Sequence, residues 1–152
     1  MALGINPNLT FLKNYAIIIK ENKGGKTPMK MYEVITLQDF YAIVQEIKMP
    51  IKTTYKLTRL MRRVEEEIQF YQKEFNSILS EFALKENGSF VYSNDNTSIK
   101  IIPGKEEECA KRISDLRDLD VSLDEFQFNI EEFENLNLTI SQMNSILPLI
   151  KD

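Results

Sequence analysis

At 152 residues, with 43% apolar and 28% charged content and with nine Phe and six Tyr, the chain can bury the core of one domain without disulfides or a structural metal. It has no histidine and a single cysteine, Cys109, which removes Cys/His zinc sites, every dyad or triad that needs an imidazole, and any internal disulfide, in keeping with a reducing cytoplasm. The formal charge of −4 hides a split: residues 1–102 hold 14 Lys/Arg against 11 Asp/Glu, and residues 103–152 hold 5 against 12, so the last third is the acidic end.

Asn8 can cap a helix in which Leu9, Leu12, Ala16 and Ile19 recur at three- and four-residue steps. Lys23-Gly24-Gly25-Lys26-Thr27-Pro28 then reads as a linker, and Met29 and Met31 each offer an alternative start. The expected division is an N-terminal arm or appended helix over 1–28 and a single α+β domain over 29–152. Lys30–Thr36 alternates like a short strand, and Thr36-Leu37-Gln38-Asp39 resembles a capping box that opens a helix from Leu37 to about Lys48, stopped by Pro50.

The strongest pattern runs from about Thr53 to Glu86. Leu57, Met61, Val64, Ile68, Tyr71, Phe75, Ile78 and Phe82 are spaced 4, 3, 4, 3, 4, 3, 4, a heptad seam on a helix about 50 Å long at about 1.5 Å per residue. Asn87-Gly88 is expected to end it in the left-handed conformation. Phe90-Val91-Tyr92 and Ile99–Ile102 flank the polar Ser93–Ser98 segment and predict a β-hairpin. Lys105–Leu119 reads as a second helix, with Cys109, Ile113 and Leu116 on one face, folded back on the long one. The alternation of Phe126, Phe128 and Ile130 predicts a further strand. Thr139 or Ser141 caps a last short helix through Met143 and Ile146, ended near Pro148. The expected fold is therefore α+β and mainly helical, with the long helix packed on a second helix beside a β-hairpin and a short additional strand.

Two surfaces compete as sites. The seam either packs entirely within the chain, or leaves Tyr71, Phe75, Ile78 and Phe82 as an oligomer or partner surface. The segment from Lys48 to Arg63 holds six basic residues and no acid. On it Lys52, Lys56, Arg59 and Arg63 form one helical stripe that suits either phosphate contacts or a solvated face meeting the acidic third of the chain. The triplets Glu65-Glu66-Glu67 and Glu106-Glu107-Glu108 point in diverging directions on a helix and make no converging metal or acid/base site. Cys109 lies on an apolar stripe with no base to activate it and reads as an inert buried thiol. Gly24-Gly25-Lys26-Thr27 lacks the upstream glycine of a phosphate-binding loop. No membrane span of about 20 apolar residues is present, and Ala16–Ile19 is too short for a signal-peptide core.

Met49-Pro50-Ile51-Lys52-Thr53-Thr54-Tyr55-Lys56-Leu57 ahead of a charged long helix, a Gly near its end, a polar hairpin, Glu107–Leu119, and the closing Phe128-Asn129-Ile130 through Leu138-Thr139-Ile140 to Leu147 together resemble a family of small proteins of tailed bacteriophages and prophages. The likeness covers about residues 30–150, and the motif centred on Pro50-Ile51-Lys52 is its most specific piece. It implies a viral accessory protein in the host cytoplasm or the virion. Such a protein acts by binding another protein or itself, without catalysis, cofactor or metal. The alternatives are an inhibitor of a host defence protein acting through its acidic surface, and a weak nucleic-acid binder acting through the basic stripe.

Overall fold

The computed structural model describes residues 28–151; the helix expected after Asn8 and the Gly24–Thr27 segment lie outside them. The first described elements already depart from expectation. Only Met29–Lys30 is extended (β1), and helix α1 runs over Met31–Val44, taking in the residues read as a strand and ending short of Lys48. Its buried face is Met31, Val34, Leu37, Phe40 and Val44. The β-branched run Val34-Ile35-Thr36 favours a strand locally, but the three- and four-residue recurrence of core positions overrides it. The cap is also earlier than expected: the Glu33 carboxylate accepts the Lys30 backbone N–H at 3.2 Å. Thr36 is interior to the helix and donates its hydroxyl to the Glu33 carbonyl.

Pro50 opens the next helix rather than closing the first. With φ at −53° it is the N-cap of α2, which runs over Ile51–Phe82. At 32 residues α2 is about 48 Å long, as the heptad pattern predicts. It ends at Ala83, whose extended backbone hands the chain to a hairpin. Asn87 and Gly88 do not terminate α2. Both have positive φ, 51° and 80°, and they form the two-residue turn between β2 (Lys85–Glu86) and β3 (Ser89–Phe90), the I′ type that matches strand twist.

The hairpin expected around Ser93–Ser98 is present as a bridge between Tyr92 and Ile99, extended by the bond from the Lys100 N–H to the Val91 carbonyl. Its polar loop is organised by Asp95, whose carboxylate accepts from the Ser93 hydroxyl and from the Thr97 hydroxyl and N–H. Those donors hold it down at about 2. After the Gly104 turn (φ 87°), α3 spans Glu106–Arg117. Its three first-turn glutamates favour the positive end of the helix dipole. Asp120–Val121 (β4) then pairs antiparallel with β1, Met29 opposite Val121.

The strand expected over Phe126–Ile130 does not form. Phe126 and Phe128 are both buried, Ile130 is exposed and opens a 3-10 turn, and a single parallel bridge joins Phe128 to Ile150. The small additional sheet is β1–β4 instead. The last helix, α4, spans Ile140–Ile146 and is capped by Thr139, whose side chain accepts from the Gln142 N–H.

The core has two parts strung along α2. The larger joins Leu57, Leu60, Val64 and Ile68 of α2 to α1, Val121, Leu123, Phe126, Phe128, Phe133, Ile146 and Leu149. The smaller joins Ile78 and Phe82 to Cys109 and Leu116 of α3. Tyr71 packs against both.

Candidate interaction surface

The seam faces inward over its whole length. Ile78 and Phe82, expected as an open surface, are 4% and 3% exposed. Phe75 and Ile113 pack against the same small cluster, and the Tyr71 and Phe75 rings stack at 5.9 Å. Helix α3 and Ile101 of the following hairpin cover this part of α2, so Ile78 and Phe82 are core, with Tyr71 and Phe75 half-buried against it. Arg112 fixes this cover from the rim, pairing with Glu81 at 3.2 Å and lying 5.6 Å from the Phe82 ring centroid. Cys109 lies inside this cluster; burial pushes its thiol up, against the opposing charge of Arg112.

The basic stripe divides into two kinds of residue. Lys56 is turned onto the acidic third: its ammonium sits 2.8 Å from Glu132 Oε2, donates to the Gln127 carbonyl at 3.0 Å, and lies 4.6 Å from the Phe128 ring centroid. Arg63 pairs with Glu67 at 2.6 Å on its own helix. Both keep about a third of the side chain exposed. Lys52 and Arg59, together with Lys48 and Arg62, have no carboxylate within ion-pair distance among the described residues. Arg59 is held between aromatic rings, 5.9 Å from both Tyr55 and Phe126.

The knot that fixes this end of α2 is Glu132. Its carboxylate accepts from the Thr53 hydroxyl at 3.0 Å, from Lys56, and from the Asn129 N–H at 2.8 Å. Burial pushes the Glu132 carboxyl up, but the Lys56, Asn129 and Thr53 donors outweigh it and hold the group below its ordinary value. This satisfies Thr53, the one buried polar side chain among the described residues. The pairing of a lysine and a glutamate 76 residues apart has no local signature in sequence, and nothing there singles out Glu132 beyond its place in the acidic last third.

Beside the knot lies an open cleft of about 380 Å³, walled by Lys48, Pro50 and Lys52 on one side and by Asn129, Glu131 and Leu136 on the other. The residue between those lysines points outward: Ile51 is 82% exposed, and Tyr55, one turn on, is 63% exposed. Ile51 and Tyr55 are neighbours on the helix surface, and they stand among the unpaired cations. Phe126 lies against Arg59, and Gln127 and Phe128 lie against Lys56. Asp124, Glu125, Glu131 and Glu134 are exposed. Ile51, Tyr55 and Ile130 are exposed apolar side chains.

Among the described residues no three acidic or cysteine side chains converge as metal ligands, and no helix is long and apolar enough to cross a membrane. No family model, no curated protein and no solved structure matches the chain.

Proposed function

We propose that this chain is a non-catalytic accessory protein of a tailed phage or prophage that acts by binding protein, and that its binding face is the N-terminal half of α2 and not the seam. The observation that carries the reading is the exposure of Ile51 and Tyr55 one turn apart among Lys48, Lys52, Arg59 and Arg62. Single exposed apolar side chains are ordinary on a protein surface. Two neighbours on one helix, with Tyr and Arg side by side, have the composition of an interface centre. The phage context rests on the resemblance of residues 30–150 alone.

Nucleic-acid binding through Lys52, Lys56, Arg59 and Arg63 loses two of its four cations to Glu132 and Glu67, and the neighbouring carboxylates repel phosphate. The test is capture from infected and uninfected host lysates by the full chain and by an Ile51→Ser/Tyr55→Ser variant, followed by reconstitution with the purified captured protein. The reading predicts a protein bound directly by the wild type and lost in the variant at unchanged melting temperature. Capture that survives the substitutions, or that disappears on nuclease treatment, overturns it.

A further inference from the structure

Resting on that reading, we propose that the partner is a folded protein with an apolar groove rimmed by carboxylates, and that the N-terminal turns of α2 enter this groove. At about 100° per residue, Ile51, Tyr55, Thr58 and Arg62 share one narrow strip on the side of α2 opposite Leu57, Leu60 and Val64. All four are exposed. Their spacing of 4, 3 and 4 is that of the anchors a helix lays into another protein's groove. Ile51 and Tyr55 supply the apolar contact. The Thr58 hydroxyl already donates to the Thr54 carbonyl at 2.8 Å, so covering it strands no donor.

Shape decides which side is concave. An exposed strip on a helix is a ridge and cannot cradle an extended peptide, so the hollow belongs to the partner. Charge decides what surrounds that hollow. Lys52 and Arg59 flank the strip on one side, Arg62 ends it and Lys48 precedes it, with no acid from Lys48 to Arg63. Lys48, Lys52 and Arg62 have no carboxylate within ion-pair distance among the described residues. A second copy presenting this same face would set cation on cation. A nucleic acid would leave Ile51, the most exposed large apolar side chain of those described, without the stack that an aromatic ring gives a base. Carboxylates around an apolar hollow answer both features: they meet the cations at the rim, while Ile51 and Tyr55 leave water at the centre.

The test takes the protein captured by the full chain, identified and purified, and measures its binding rates at low and high salt. Rim charges act on encounter and the desolvated centre on release. Lys52→Glu/Arg62→Glu should therefore slow association by about tenfold or more at low salt and lose most of that difference at high salt, where the charges are screened. Ile51→Ser/Tyr55→Ser should instead speed dissociation. On the wild type, carbodiimide coupling of amines to carboxylates should join Lys48 or Lys52 to Asp or Glu residues of the partner; this readout stands whether or not a variant folds. Association indifferent to salt and to the charge reversal, coupling that involves neither lysine, or self-association through this face overturns the acidic partner. If Ile51→Ser/Tyr55→Ser still releases the captured protein in that case, the binding face stands and only the partner's chemistry is wrong. No captured protein, or capture abolished by nuclease, overturns both readings.

Discussion

Glu132 shows how one side chain can fix where two distant segments meet. Its partners Thr53, Lys56 and Asn129 belong to α2 and to the turn before residue 130, and no spacing in the sequence links them. Replacing it by Gln keeps the shape but removes the charge opposite Lys56, at a cost of about 1.5–3 kcal/mol for a hydrogen bond to a charged group, which urea unfolding at neutral pH should read. The pH dependence follows in sign. The folded carboxyl titrates below its ordinary value of 4.5, so its contribution is present above that value and is lost as pH falls through the lower, folded value. The gap in stability between wild type and Glu132→Gln should therefore narrow on acidification from neutrality, and a gap that holds constant down to acid unfolding would contradict the assignment. Gly88 gives a second prediction at this scale. A methyl added there meets no atom within 4 Å, so Gly88→Ala tests conformation alone. At φ 80° it should destabilise by about 1–2 kcal/mol, measurable as a lowered melting temperature.

Among the elements, α2 was legible because a repeat of 4 and 3 sustained over eight apolar positions admits few other folds. Its neighbours were misread where short-range signals compete. Val34-Ile35-Thr36 looks like a strand until Met31, Val34 and Leu37 are seen to share one buried face. Asn87-Gly88 suits either a helix terminator or a two-residue hairpin turn, and the pairing of Lys85 with Phe90 decides for the turn. Phe126 and Phe128 alternate, but each is used as a separate plug in the core rather than as a rung of a ladder. The β1–β4 pair is two residues long on each side, too short to leave any periodicity.

The division of the core along α2 also makes a prediction. Phe82→Ala empties the smaller cluster and should cost about 3–5 kcal/mol. Amide exchange should accelerate first in α3 and the hairpin, with α1 still protected. Equal loss of protection in α1 and α3 would mean that Tyr71 couples the two clusters into one cooperative unit.

For the molecule as a whole, composition alone removed imidazole chemistry and internal disulfides. The charge split between the first 102 residues and the rest was also visible in the sequence. That split proves to be partly an internal contact, since Lys56 reaches across to Glu132. Heptad spacing identified a long apolar face but could not say what covers it; over its C-terminal part α3 and the hairpin residue Ile101 do, and the proposed binding face lies at the opposite end of α2.

The measurement that tests this account most directly is partner capture from host lysate combined with thermal unfolding on two variants of the full chain, Ile51→Ser/Tyr55→Ser and Phe75→Ala/Ile78→Ala. The account predicts that the first keeps the melting temperature of the wild type and loses the captured protein. It predicts that the second melts lower yet still captures it below its transition. A first variant that captures like the wild type, or a second that keeps its melting temperature while losing capture, would return the interface to the seam and contradict the assignment made here.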